Sequence, residues 1–202
     1  MILESIVTTV GVDGRVNVAP MGPVLTNPAA MSAHVGDPGF ILRPFEGSTT
    51  LKNLLATRRA TIHVSDDAEL FAHAAIGEIH DVESRVALTP DLHFAVLHQC
   101  HRWFQVAIES IVDSPPRYEM TCGIRATSIA NPFFGFNRAK HAVIEAAILA
   151  TRVHLMEPKE IRSQLAALKV PVDKTSGPAE RAAYDLLTRT IEQRITENRG
   201  GR

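Results

Sequence analysis

The first two thirds of the chain alternate short apolar runs with turn signals, which is the pattern of antiparallel strands. Residues 2–10 (ILESIVTTV) are rich in β-branched residues, and the Asp-Gly pair at 13–14 is a hairpin signal. Residues 15–26 return as a second strand, which contains Pro20 and Pro23. Because proline cannot donate a ladder hydrogen bond, we expect this strand to lie at a sheet edge or to break near the first proline.

Further strands complete the β-rich part. Residues 60–65 (ATIHVS) form one strand, and two long strands near 102–113 and 117–130 flank a Ser-Pro-Pro turn. Residues 31–45 have the pattern of another short hairpin, with Gly and Pro at its centre. Many short strands with few helices favour a barrel over a parallel, doubly wound sheet.

Helices interrupt these strands at three places. Ser48 precedes leucines at helical spacing and can cap a helix, and the Asp-Asp pair at 66–67 can cap a second, shorter one. Residues 91–100 (DLHFAVLHQC) are predicted to form a third short helix. All three are short beside the strands, so this part of the chain is predicted to be mostly β.

The pattern changes near residue 131, and the rest of the chain is predicted to be helical. Asn137 can cap a long helix that stops before Pro158, and this proline begins a second helix. A third helix further along has one apolar face. We therefore predict a β-rich domain over residues 1–130 and a helical subdomain over residues 131–202.

Composition and charge narrow the class of protein. The 202 residues are 45% hydrophobic and 21% charged, with a formal net charge of −1. This composition is typical of globular proteins and excludes a disordered or collagen-like chain. The near balance of charges argues against a dedicated nucleic-acid binder and against a protein of the membrane surface.

Several common motifs and targeting signals are missing from the sequence. It has no G-x-S-x-G, P-loop or G-x-G-x-x-G pattern, which removes the commonest hydrolase, P-loop and Rossmann interpretations. Its first residues lack a basic segment, and no apolar run reaches 18 residues. With two cysteines, the chain fits a reducing compartment, so we expect a cytoplasmic protein without a membrane partner.

A first candidate site lies where a strand passes into a helix. Arg43 precedes Ser48, Thr49 and Thr50, and Asn53 lies one turn further on. A helix N-terminus offers unsatisfied N–H groups and the positive end of the helix dipole, which suit a phosphate. Hydroxyl groups and a guanidinium would complete such a site. The alternative is an ordinary helix cap beside a surface arginine.

A second candidate site is the strand that the prolines interrupt. An interrupted ladder leaves backbone N–H and C=O groups unpaired, and a flat heterocycle could bind them. The alternative is a plain bulge in an edge strand. The segment comprises Asn17, Val18, Ala19, Pro20, Met21 and Gly22.

The histidines form a third group. His93, His98 and His101 lie close to Cys100, and a helix would place His98 and His101 on one face, where a metal ion is conceivable. Neither an acidic residue nor a cysteine pair completes a ligand set nearby. We therefore predict no metal site, and histidines that are solvated or line the core. His63, in the middle of a strand, faces either the core or a pocket.

Several of these segments together resemble the domain-of-unknown-function family 447, over nearly the whole chain. The resemblance rests on the opening IVTT, the NVAPMG block at 17–22, Arg43-Pro44-Phe45, Ser48-Thr49-Thr50, Asn53-Leu54, and the NRA and AVIEA blocks at 137–139 and 142–146. That family is similar in fold to the flavin reductase-like, FMN-binding split barrels, which are usually homodimers with a flavin at the subunit interface. The resemblance implies a mostly β fold with α elements, in which an FMN-binding split β-barrel precedes a helical C-terminal segment.

The resemblance also joins the first two candidate sites into one FMN site at the interface of a homodimer. It implies that Arg43, Ser48, Thr49 and Thr50 hold the phosphate and that Asn53 supports this cradle. The isoalloxazine ring is expected to lie against the backbone and side chains of the interrupted strand. These strand residues are Asn17, Val18, Ala19, Pro20 and Met21.

The implied function is that of a flavin-dependent oxidoreductase of the flavin reductase type, with an unknown acceptor. The alternative is a non-catalytic flavin- or pterin-binding module in one-carbon, methanopterin-linked metabolism. No catalytic side chain is assigned, because the ring chemistry belongs to the cofactor. The flavin reductase-like relatives often carry a Val-Asn pair where this chain has Ile62-His63, so His63 is not assigned to the flavin.

Overall fold

A computed structural model describes residues 1–33 and 36–200 of the protein. The strands are β1 (Ser5–Val10), β2 (Val16–Met21), β3 (Val24–Leu25), β4 (Phe40–Leu42), β5 (Arg59–Val64), β6 (Val86–Leu88), β7 (Ala95–Leu97), β8 (Arg102–Ser114) and β9 (Arg117–Ile129). The helices are α1 (Pro28–Ala33), α2 (Thr49–Thr57), α3 (Ala68–Ile76), α4 (Val82–Arg85), α5 (Arg138–Thr151), α6 (Pro158–Thr175) and α7 (Pro178–Gly200), with a 3-10 turn at Val153–Leu155. The chain divides into two compact units.

The first unit, residues 1–65 and 80–133, contains one curled antiparallel sheet. Its strand order is β2-β1-β5-β8-β9-β4-β3. The residues before β1 also pair with β3 at the far end of the sheet: Leu3 N–H donates to Pro23 O at 3.0 Å, and Leu25 N–H donates to Met1 O at 2.8 Å. This pairing brings the two ends of the sheet together, so the sheet curls into a half-barrel.

The barrel core explains the position of α2. Apolar side chains from β1, β4, β5, β8 and β9 form one buried cluster, and Leu51 and Leu54 of α2 belong to it. These two leucines hold the helix against the sheet, and Ser48 begins it as an N-cap, as predicted. The N-terminal turn of α2 is thereby fixed beside β1 and β2.

The second unit contains residues 66–79 and the helical C-terminal part of the chain. Small side chains let its helices approach closely, because five alanines of α5 are buried in the common core. Asp67 caps α3, as predicted, and accepts a hydrogen bond from Leu70 N at 2.9 Å. Helix α3 lies within the predicted domain 1–130 but groups with the later helices, since its buried face packs into their core.

Two predicted elements differ in the structure. Residues 91–100 contain β7, which pairs with β6, in place of the predicted helix. Thr8 Oγ1 donates to Ala95 O at 2.6 Å, and this contact holds β7 to the main sheet. In the predicted hairpin over 31–45, the first residues belong to α1, residues 34 and 35 lie outside the described part, and β4 is a strand. No helix in the described ranges is long and apolar enough to cross a membrane.

Candidate functional site

A side-chain hydrogen bond joins the two predicted halves of the site. Asn17 on β2 donates from Nδ2 to Thr50 Oγ1 at 3.0 Å, although the two residues are 33 positions apart in sequence. Thr50 is buried in the first turn of α2, at 4% exposure, and Asn17 is half-buried. The hydroxyl of Thr50 accepts this bond and so keeps its own proton for another acceptor.

The first turn of α2 retains backbone donors. Ser48 Oγ accepts from Leu51 N at 3.1 Å and donates to Phe45 O at 2.8 Å, so this hydroxyl serves the cap itself. In residues 1–33 and 36–200, the N–H groups of Thr49 and Thr50 have no hydrogen-bond acceptor. The side chain of Thr49 is exposed. The helix start can therefore bind an anion through two backbone N–H groups and two threonine hydroxyls.

Asn53 lies one turn into α2 and points to the neighbouring strand. Its Nδ2 donates to Thr9 Oγ1 on β1 at 3.0 Å, and its side chain is buried, at 8% exposure. Thr9 is the register partner of Asn17 on β2. Asn53 therefore fixes the helix start on the sheet, which fits the predicted supporting role.

The five predicted residues of β2 fall on both faces of the strand. Ala19 is opposite Val7, which belongs to the barrel core, so the face of Asn17, Ala19 and Met21 is the one that meets the core and α2. Val18 and Pro20 point to the opposite face. Side chains from all five positions consequently cannot meet one face of a single ring.

The backbone of β2 offers the contacts that the side chains do not. Strand β2 lies at the sheet edge, as predicted, and is paired with β1. Gly11 N–H donates to Arg15 O at 2.9 Å, so these two residues form a hydrogen-bonded pair of the β1–β2 ladder. Hydrogen-bonded pairs recur at every second residue of an antiparallel ladder. The backbone polar groups of Val18 and Pro20 lie between such pairs and therefore face away from β1. Pro20 thus stands where no ladder N–H is needed, and the outward polar backbone groups of β2 have no ladder partner in the described part of the chain.

Arg43 follows β4 and carries the charge of the predicted phosphate site. Its Nη2 lies 2.7 Å from Oε1 of Glu119 on β9, and both side chains are 40% exposed. Its Nε is buried and has no hydrogen-bond partner in the described part of the chain. A partly exposed guanidinium two residues before the turn that ends at Ser48 fits an anionic ligand.

Sequence reasoning missed the residues that surround Arg43. Glu119, Arg117 and Tyr118 come from β9, more than 70 residues away in sequence, and no local motif points to them. Arg117 donates from Nη1 to Arg43 O at 3.0 Å, and its guanidinium lies 3.6 Å from the ring centre of Phe45. Thr9 was also missed, because its role depends on contact with Asn53.

The structure places His63 in the core. The side chain is fully buried, with Nδ1 3.1 Å from Ile6 O and Nε2 accepting from Leu97 N at 3.1 Å. Burial lowers the pKa of His63 from 6.5 to about 4, against a smaller opposing effect of the bond to Ile6. His63 is therefore a neutral structural residue.

The other histidines of this group lie around β7 and not on a helix. His93 and His98 are exposed and lie on either side of β7. His101, just before β8, has its Nδ1 3.1 Å from Pro132 O. Since these residues are not on a helix, His98 and His101 do not share a helical face. Within the described ranges, no group of three or more His, Cys, Asp or Glu side chains is placed to hold a metal ion.

Family models match most of the chain. A model for the N-terminal domain of a protein of unknown function, DUF447, matches residues 3–131. A second model, also described as a protein of unknown function (DUF447), matches residues 137–189. Both matches agree with the family that the sequence motifs resemble.

Solved structures share the fold. An FMN-bound protein from Methanosarcina mazei, of the same family model, is 22% identical over 94% of each chain, with a TM-score of 0.78. An FMN-binding protein from Thermus thermophilus with bound 1-cyclohex-2-enone is 14% identical over 64% of this chain and 72% of its own, with a TM-score of 0.50. Flavin reductase HpaC, in complex with NADP+, is 9% identical over 66% and 83%, with a TM-score of 0.53. The predicted fold, a flavin reductase-like split barrel with C-terminal helices, is thereby confirmed.

Proposed function

Because the chain belongs to the DUF447 family and has a split-barrel fold, we propose that it binds FMN between the start of α2 and the edge of β2. One observation carries the proposal. The hydrogen bond from Asn17 to Thr50 joins an anion-binding helix start to an open strand edge, on one rigid support. A phosphate and a polar ring system on one molecule match these two features.

The phosphate end rests on the first turn of α2. Thr49 and Thr50 donate to the phosphate from their backbone N–H groups and hydroxyls, while Ser48 maintains the cap. Arg43 adds a positive charge from a guanidinium that is partly exposed. Asn53 holds this helix on β1 through Thr9, so it acts without touching the ligand.

The ring end rests on β2. The outward backbone of Val18 and Pro20 binds the polar edge of the isoalloxazine, and Ala19 and Met21 shape the face beside it. Bound FMN supplies the capacity to take up and release a hydride or single electrons. The protein contributes orientation and electrostatics, and the proposed reaction, flavin reduction for an acceptor not yet identified, needs no acid or base from the chain.

The site is proposed to be completed by a second copy of the chain. Every residue of β2 is half-buried, and Thr49 is exposed, so a ring lying here on one subunit would keep a face in water. A homodimer that closes over this surface would bury that face. Light scattering during gel filtration measures the oligomeric state, and a monomer that retains FMN would refute this part of the proposal.

Titration of the protein with FMN and with riboflavin tests the phosphate site. We expect Arg43→Ala to weaken FMN binding by at least about tenfold, the effect of one charged contact of about 1.5–3 kcal/mol. Riboflavin, which lacks the phosphate, should lose much less. Arg125→Ala is the matched control, because Arg125 on β9 is also a partly exposed arginine that faces a carboxylate, that of Glu109 at 3.8 Å. Equal FMN affinity of wild type and Arg43→Ala would refute the phosphate assignment.

Anaerobic addition of NADH or NADPH to the FMN-loaded protein tests the redox function. Bleaching of the flavin absorption, followed by its return with an electron acceptor, is the result expected of an oxidoreductase. Flavin that stays bound and oxidised would instead favour the non-catalytic binding module. Failure to retain any flavin would refute the proposed function as a whole.

A further inference from the structure

The exit of β4 places Arg43 directly opposite Glu119. Leu42 pairs with Met120 in the β4–β9 ladder, and Phe45 forms an isolated bridge with Arg117. The register between these pairs sets Arg43 across from Glu119, and their side chains meet at 2.7 Å. This carboxylate is therefore a fixed neighbour of the proposed phosphate ligand, determined by strand pairing.

The backbone around Arg43 is held firmly to β9. Tyr118 N–H donates to Pro44 O and Glu46 N–H donates to Pro116 O, both at 3.2 Å. Arg117 adds the side-chain bond to Arg43 O and covers the ring of Phe45. Because these bonds anchor the segment to residues 116–118, the backbone of Arg43 has a fixed position across from Glu119.

Glu119 occupies part of the binding capacity of Arg43. It engages Nη2, the nitrogen that belongs to both of the guanidinium edges able to bind an anion through two N–H groups. A guanidinium binds phosphate best through two adjacent N–H groups at once. A phosphate that pairs with Arg43 in this way must share Nη2 with the carboxylate or displace it, and the two anions repel each other.

We infer, on the basis of the proposed function, that Glu119 competes with the FMN phosphate for Arg43 and thereby limits the preference of the site for FMN over riboflavin. Glu119 acts through Arg43 and has no direct contact with the flavin in this arrangement. It is a specificity-determining residue, whose charge weakens phosphate binding without affecting the ring. The carboxylate would favour release of a phosphorylated flavin over permanent retention.

Glu119→Gln tests the inference, because it removes the charge and nearly keeps the shape of the side chain. We expect the FMN dissociation constant to fall about three- to fivefold, in line with an exposed ion pair of up to about 1 kcal/mol. The riboflavin dissociation constant should stay within about twofold of the wild-type value. Unchanged or weaker FMN binding would overturn the inference and indicate that Glu119 only positions Arg43.

Two controls separate competition from a general charge effect. Glu109→Gln makes the same change of net charge on β8, beside Arg125, and should leave both affinities unchanged. Glu119→Gln in an Arg43→Ala background should have no effect on FMN binding, because competition requires the arginine. A gain of the same size in that background would show direct repulsion of the phosphate and overturn the inference.

Flavin binding by wild type separates the role of Glu119 from the proposed FMN site as a whole. Wild type that binds neither FMN nor riboflavin refutes the proposed function, and the inference with it. Wild type that binds FMN through Arg43, with no response to Glu119→Gln, refutes the role of Glu119 alone. Thermal unfolding of each variant shows whether a change in affinity reflects lost folding, which the partial exposure of this pair argues against.

Discussion

Replacing His63 with glutamine should reduce the loss of folding stability that occurs as the pH falls. Leu97 N–H donates to Nε2, so Nδ1 carries the ring proton and donates to Ile6 O. The neutral imidazole satisfies both partners. A second proton would have to sit on Nε2, where it meets the N–H of Leu97, inside a site with no exposure to solvent.

The magnitude follows from the difference in proton affinity. The unfolded chain binds a proton at His63 near the ordinary pKa of 6.5, whereas burial lowers the folded pKa to about 4. Between these values the unfolded state binds more protons than the folded state, so stability falls as the pH falls. A difference of about 2.5 pH units at 1.36 kcal/mol each gives a loss of about 3 kcal/mol from neutral pH to about pH 4.

Urea unfolding at several pH values measures this loss. Other titratable groups change the free energy of unfolding of wild type and of His63→Gln alike as the pH changes. The difference between the two free energies therefore isolates the contribution of His63. We expect that difference to shift by about 3 kcal/mol against wild type between about pH 7 and about pH 4. Parallel profiles for wild type and His63→Gln would refute the argument.

Three further predictions follow from burial and single contacts. Burial raises the pKa of Cys100 to about 11 and that of Cys122 to about 12, so neither thiol should react with a disulfide reagent at neutral pH until the protein unfolds. Tyr184→Phe removes the hydroxyl that donates to Leu165 O and should lower the free energy of unfolding by about 1 kcal/mol in urea. Asn53→Ala removes a buried bond to a hydroxyl of β1 and should lower thermal stability while weakening FMN binding less than Arg43→Ala.

Local signals were sufficient to predict the elements that carry the proposed site. Pro20 indicated an edge strand, and β2 lies at the sheet edge with Pro20 at an outward backbone position. Ser48 indicated an N-cap, and its hydroxyl accepts from Leu51 N. Both predictions depend on backbone chemistry within a few residues, which the sequence expresses directly.

Contacts with residues distant in sequence determine the secondary structure of the segment that was predicted wrongly. Residues 91–100 have an apolar pattern that a helix could use, but β7 is bound to the outside of the sheet by Thr8 and His63. Those two residues lie more than 30 positions away in sequence, so no local window contains them. The same contacts explain why His63 is buried, a question that strand alternation left open.

The site itself is an intermediate case. Its two halves were visible in the sequence as separate motifs, and the family resemblance joined them. The hydrogen bond from Asn17 to Thr50 that connects the two halves forms only because β1 and α2 pack together. Glu119 was invisible for a different reason: only the register of β4 with β9 brings it to Arg43. A phosphate site predicted from its positive groups alone therefore omits the carboxylate that pairs with Arg43, because only strand pairing brings the two residues together.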